Sequence, residues 1–164
     1  MSDRKNLRIT GAKVLEKGPE GLRIAEKTVF VQDGIIRESA GEGPCEEIRA
    51  EGKLILPGLL NLHTHAYMTV LHNYADDVDF DEWLFRRVMP VEDSLPPEGA
   101  YWCSLLACME FLRTGTTCFA DMHMFPGGSC RAVIDSGMRG YIGRGLVGED
   151  LYTDGAGRFE QALR

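Results

Sequence analysis

At Leu54 the hydrophobic pattern of the chain changes, and that change limits the folds open to it. Before it, short runs alternate apolar and polar residues: Leu7-Arg8-Ile9, Lys13-Val14-Leu15, Thr28 to Gln32 and Ile35-Ile36-Arg37. Such runs mark strands with one buried face. After it come two continuous apolar runs, Leu54-Ile55-Leu56 and Leu59-Leu60-Asn61-Leu62, divided by Pro57-Gly58. A run apolar on both faces suits a strand covered on both sides.

The two halves therefore predict different architectures. In the first, Asp33-Gly34 between two alternating runs is a hairpin signal, because a type I′ turn needs positive φ at both central residues. With Glu47-Ile48-Arg49 as a further strand, residues 1–56 read as a small antiparallel β unit. In the second, Pro96-Pro97-Glu98 opens a segment with Tyr101, Trp102, Leu105, Leu106, Met109 and Leu112 at helical spacing, closed by Gly115. Thr116 to Ala120 then predicts a strand, Ser129 to Ser136 a helix stopped by Gly137, and Tyr141 to Val147 another strand. Trp102, Met109 and the helix cysteines are expected in the core. Strands alternating with helices imply an α/β fold with a parallel sheet or barrel. A Gly-rich stretch follows, and Arg158 to Arg164 begins a helix.

Composition removes several functional classes. Asp and Glu number 25 against 18 Lys and Arg, a net charge of -7, without the basic stripe of a nucleic-acid binder. Apolar residues make up 44% of the chain, too many for disorder, yet no window approaches the roughly 18 consecutive apolar residues of a membrane span. Five cysteines, odd in number and never spaced Cys-x-x-Cys, read as reduced core residues. Residues 1–6 have no apolar stretch behind them, so no secretory signal is read and a cytoplasmic location is expected.

The chemistry concentrates at His63-Thr64-His65, where the second apolar run ends. Residues i and i+2 of a strand share a face, so both imidazoles can reach one cation, and parallel α/β folds place their sites at the C-terminal ends of strands. A bare His-x-His also fits two polar residues beside a loop.

Leu56-Pro57-Gly58-Leu59-Leu60-Asn61-Leu62-His63-Thr64-His65-Ala66 resembles the opening signature of the amidohydrolase superfamily. These are metal-dependent hydrolases built on a (β/α)₈ TIM barrel with a small antiparallel β-sandwich beside it. Further along, Met68 to Leu71, Ala75-Asp76-Asp77, Glu82-Trp83-Leu84, Met89 to Asp93, Gly115-Thr116-Thr117, Asp121-Met122 and Gly137-Met138-Arg139 are similar to one branch of that superfamily. This branch deaminates S-adenosylhomocysteine and 5′-methylthioadenosine, and is related to the triazine hydrolases and guanine deaminases. The resemblance implies a β-sandwich portion over 1–56 and the first part of the barrel, about three β/α units, over 57–164.

The resemblance also implies roles. His63 and His65 become ligands of one divalent metal, zinc first, with iron, nickel or manganese as alternatives. Water activated by it attacks the purine carbon bearing the amino group, and ammonia leaves. Glu92 corresponds to the glutamate that accepts hydrogen bonds from the ribose hydroxyls; without the resemblance it reads as a solvated acid beside Asp93. Arg144 is a charge inside an apolar strand, and Arg158 resembles a second family arginine. Together they would clamp the carboxylate of a homocysteine moiety, although Arg158 also reads as a surface residue at a helix start. Trp83 either covers the nucleoside or packs an Asp79 to Arg87 helix onto the barrel. Asp121 is expected to fix a neighbouring loop by hydrogen bonding, and His123 could line the pocket. The family's later metal ligands and proton-shuttling residues have no counterpart here, since neither His72 nor His123 stands in their position. Gly143, Gly145 and Gly148 lack the helix opening of a dinucleotide fingerprint.

Length sets the remaining expectations. A complete barrel takes roughly 250 residues, whereas about 100 follow Gly58. The chain reads as the N-terminal portion of a larger enzyme, inactive, weakly metal-binding and aggregation-prone by itself. The expected partner is a small nucleoside, with no nucleic acid or membrane, and homo-oligomers are common in the family. The competing readings are an amidohydrolase acting on a guanine, cytosine or chlorotriazine-like ring, and a non-catalytic stand-alone binding module.

Overall fold

Ten strands and three α-helices form among residues 6–41, 43–123, 126–145 and 160, which the computed structural model describes; the strand Gly21–Glu26 and the helix Met89–Ser94 are additions to the elements expected from the periodicity. The chain divides into two compact units, Met1–Pro57 and Gly58–Arg164.

The first unit holds two sheets. β1 (Asn6–Thr10), β4 (Val29–Gln32), β5 (Ile35–Arg37) and β6 (Cys45–Arg49) make a four-stranded sheet in the order β5-β4-β1-β6. β2 (Lys13–Gly18), β3 (Gly21–Glu26) and β7 (Leu54–Ile55) make a three-stranded one in the order β3-β2-β7. The hairpin between β4 and β5 turns at Asp33 and Gly34, with φ of 53° and 79°, both positive as a type I′ turn requires. The unit is not wholly antiparallel, however: β6 runs parallel to β1, and β7 parallel to β2. Alternation reports the face on which a residue lies and carries nothing about strand direction, which is why the expected antiparallel unit proved mixed. The first apolar run, Leu54-Ile55, forms β7 in this unit as a partner of β2.

The second unit is a three-stranded parallel sheet, β8 (Leu59–Thr64), β9 (Thr116–His123) and β10 (Arg139–Arg144), in the order β10-β9-β8. Between β8 and β9 the chain forms a 3₁₀ segment (Ala66–Leu71), a π-helical stretch (Glu82–Val88) running into α1 (Met89–Ser94), and α2 (Pro97–Thr114). Proline opens α2 in its first turn, and Gly115 closes it with φ 90°, the left-handed conformation in which glycine is unstrained. Helix α3 (Pro126–Ser136) connects β9 to β10.

Small residues let α2 and α3 meet closely. Ala100, Ser104, Ala107 and Cys108 of α2 and Ser129 and Ala132 of α3 are all buried. A Cβ at Gly128 would stand 3.0 Å from both Pro97 O and Tyr101 N. Behind this seam Phe119 of β9 forms the core with Ala66, Ala107, Cys108 and Met138, and Phe111, Val133 and Ile142 pack against it.

Three expectations about burial are corrected. The bulky face of α2 points outward, with Trp102 58% and Met109 56% exposed, because the seam with α3 takes the small residues instead. β8 is an edge strand within this sheet and is not covered on both faces, leaving Leu62 81% exposed. The five cysteines are all free, but Cys45 and Cys130 are exposed rather than in the core.

Candidate functional site at the C-terminal edge of the parallel sheet

Parallel strands bring their C-terminal ends to one edge, and the register of this sheet fixes which residues meet there. Thr64 of β8 and Ile142 of β10 both pair with Asp121 of β9, and Arg144 pairs with His123. His63, Asp121 and Arg144 are thus carried on three neighbouring strands, with His65 just beyond the end of β8.

Close approach sets the starting register of β8. A Cβ at Gly58 would fall 2.1 Å from Thr117 Oγ1, so no side chain fits between β8 and β9 there. Leu59 N then donates to Gly115 O at 2.9 Å.

At the other end of β8 the two imidazoles converge. The ring centroids of His63 and His65 are 5.2 Å apart, edge to face at 82°. His63 is exposed and His65 half-buried. His65 Nδ1 lies 3.3 Å from the backbone carbonyl of Met122. A carbonyl can only accept, so this contact is a hydrogen bond in the tautomer that carries its proton on Nδ1, and in that tautomer Nε2 keeps its lone pair for a cation.

The segment between the rings is tied down from β9. Thr64 Oγ1 faces two acceptors, Ala120 O at 2.9 Å and Asp121 Oδ1 at 3.1 Å. Ala66 N donates to the same Asp121 Oδ1 at 3.0 Å. Asp121 is 5% exposed, and its second oxygen, Oδ2, is buried with no hydrogen-bond partner among the described residues. The sequence pointed to Asp121 as a loop anchor. The role of the Met122 carbonyl carried no sequence signal, because any residue type supplies a backbone oxygen.

Two imidazoles side by side suit zinc and similar divalent ions. A catalytic zinc site takes three protein ligands and an open position, so two imidazoles alone fall short of one. Among the described residues no group of three or more His, Cys, Asp or Glu side chains gathers as a metal cage.

The other singled-out residues lie on different elements. Glu92 sits half-buried in the first turn of α1. Trp83 is on the π-helical stretch, half-buried, its ring 5.9 Å from that of Phe80. The expected Asp79 to Arg87 helix is π-wound through Glu82–Val88, a rare winding that is frequent at functional sites. Arg144 ends β10, half-buried. Arg158 lies outside the described residues. Among the described residues no helix is long and apolar enough to cross a membrane.

Residues 54–158 match the amidohydrolase family, and the chain belongs to it. It is 42% identical over 142 residues to a 5′-deoxyadenosine deaminase of Methanosarcina mazei, an alignment covering 85% of this chain and 33% of that protein. It is 40% identical over 150 residues to a 5-methylthioadenosine/S-adenosylhomocysteine deaminase of Pelotomaculum thermopropionicum, covering 87% of this chain and 35% of the relative. Among solved structures, an adenosine deaminase from Xanthomonas campestris with bound zinc superposes with a TM-score of 0.72 at 25% identity, over 96% of this chain and 38% of that one. The chain thus spans about a third of the length of the curated relatives it matches.

Proposed function

We propose that this chain is the N-terminal portion of a metal-dependent deaminase that removes the amino group of an adenosine derivative and releases ammonia. The observation that carries the reading is the convergence of His63 and His65, with His65 Nδ1 against Met122 O, in a chain about 40% identical to adenosine-derivative deaminases. In this reading residues 57–164 are the first β/α units of a TIM barrel and 1–56 the start of its accompanying β-sandwich. The exposed face of β8 and the outward apolar face of α2 support it, since both are surfaces that further barrel elements would cover.

Each residue then has a task. His63 and His65 hold the cation, zinc being supported by the zinc-bound structural relative. A divalent ion bound there supplies a water-derived nucleophile at neutral pH. Glu92 accepts the ribose hydroxyls, its two oxygens allowing two such bonds. Trp83 offers an aromatic face to the nucleoside. Arg144, with Arg158, engages the carboxylate of a homocysteine substituent, which favours S-adenosylhomocysteine over neutral thioadenosines.

The name of the Methanosarcina mazei relative supports a second substrate, 5′-deoxyadenosine, which lacks that carboxylate. Ammonia release by the full-length protein, stripped of metal and reloaded with zinc, is to be followed with S-adenosylhomocysteine, 5′-methylthioadenosine and 5′-deoxyadenosine. Arg144→Ala is expected to lower kcat/KM for S-adenosylhomocysteine about tenfold or more while leaving 5′-deoxyadenosine nearly untouched. Equal losses on both substrates remove the carboxylate assignment, and no ammonia from any of the three removes the deaminase reading.

A further inference from the structure

Asp121 is more deeply buried than either histidine, yet only one of its oxygens is used. Oδ1 accepts from Thr64 Oγ1 at 3.1 Å and from Ala66 N at 3.0 Å. Those two donors flank His65 in the chain, and Thr64 separates His65 from His63. Ala120 O also takes the Thr64 hydroxyl, at 2.9 Å, and Met122 O lies by His65 Nδ1, but Asp121 Oδ1 is the side-chain atom of the next strand that ties down both residues flanking His65. Oδ2, enclosed beside it, makes no hydrogen bond among the described residues. A buried carboxylate oxygen without a donor is costly. As a simple clamp for Thr64 and Ala66 an asparagine would serve as well, since its carbonyl also accepts.

We infer that Asp121 is a positioning residue of the metal centre: Oδ1 sets the spacing of the His63–His65 pair, and Oδ2 is held for a proton donor that enters the site with the cation. This inference rests on the metal reading of the two histidines. It adds to that reading a residue that touches neither substrate nor metal and acts through the pair.

Cobalt(II) is the probe, since its visible bands report ligand geometry and its titration gives an affinity without any turnover. Four versions of the full-length protein are compared: the parent, His63→Ala, Asp121→Asn and Asp121→Ala. Asp121→Asn keeps an acceptor for Thr64 and Ala66 but removes the Oδ2 acceptor. It is expected to melt in its metal-free form where the parent does, to bind cobalt about 10- to 100-fold more weakly and to shift the cobalt bands. Asp121→Ala is expected to lose both melting temperature and affinity. If Asp121→Ala does not fold, Asp121→Asn alone decides the matter.

An Asp121→Asn protein that binds cobalt with the parent's affinity and spectrum overturns the inference while leaving the metal reading in place, provided His63→Ala weakens binding. A parent that takes up no cobalt, or a His63→Ala protein that binds it unchanged, overturns the metal reading and this inference together.

Discussion

Gly58 and Thr117 approach so closely that β8 and β9 leave no room for a side chain between them. A Cβ on residue 58 would lie 2.1 Å from Thr117 Oγ1, 2.4 Å from its Cγ2 and 2.7 Å from its Cβ. Rotating the threonine moves the first two atoms and leaves the third, so the conflict persists in every rotamer. Gly58→Ala is therefore expected to destabilise the chain by about 1–3 kcal/mol, the usual cost of overpacking. Thr117→Gly, destabilising in its own right, should remove most of the extra cost of Gly58→Ala. The double-mutant cycle read by denaturant unfolding measures that coupling, and additive effects would mean that the two strands part without difficulty.

Ser104 and Ser129 form a hydroxyl pair across the seam between α2 and α3, with oxygens 3.1 Å apart and both side chains buried. Removing one hydroxyl leaves the other without its partner in a site closed to water. Ser104→Ala and Ser129→Ala are each expected to cost about 1–3 kcal/mol, with the double variant costing clearly less than their sum. Chemical denaturation of the three variants tests this, and a double variant at the full sum would show that each hydroxyl has another partner.

Much of this arrangement was legible in the sequence, and the parts that were not share a physical cause. The Asp33-Gly34 turn and the proline and glycine bounds of α2 are local signals, and these elements stand where they put them, whereas the chain divides after Pro57 rather than at Leu54. The histidine pair was legible because a strand's period of two is local as well. Long-range relations were not. Nothing near Trp102 or Met109 shows that α3 packs on the opposite face of α2, because that face is chosen by the small residues Gly128, Ser129 and Ala132 well along the chain. The direction of β6 beside β1 and the carbonyl of Met122 beside His65 are likewise settled by residues distant in sequence. The π-helical winding of Glu82–Val88 has no residue signature that separates it from an ordinary helix.

The cysteines divide by environment, and their reactivity should follow. Burial pushes the Cys108 thiol above its ordinary pKa, which reduces the thiolate that alkylating reagents attack. Cys45 and Cys130 are exposed. Timed treatment with iodoacetamide, followed by mass spectrometry of the peptides, should label Cys45 and Cys130 early. Cys108 should be labelled only when denaturant opens the core. Labelling of Cys108 at the rate of Cys130 in native conditions would contradict the packing of α2 against Phe119.

The hairpin of β2 and β3 supplies a pH dependence whose sign can be worked out. Glu16 accepts two hydrogen bonds through Oε1 from Arg23, directly opposite in the register, at 3.0 and 2.7 Å, and Lys27 bonds to its other oxygen. Lys27 first and Arg23 second hold the carboxyl below its usual pKa. A carboxyl lowered in the folded state adds stability at pH values above its unfolded pKa, about 4.3. That contribution is lost as the pH falls through the lowered folded value, where the folded state must at last take up the proton. Glu16→Gln removes the titrating group. The melting-temperature gap between parent and variant should therefore be fully present near about pH 6 and close as the pH falls below the usual carboxylate range. Because both cations, Arg23 and Lys27, are exposed, high salt should shrink the gap at every pH. Parallel melting curves for parent and variant across the acid range would show that the ion pairs around Glu16 add nothing to the stability of the hairpin.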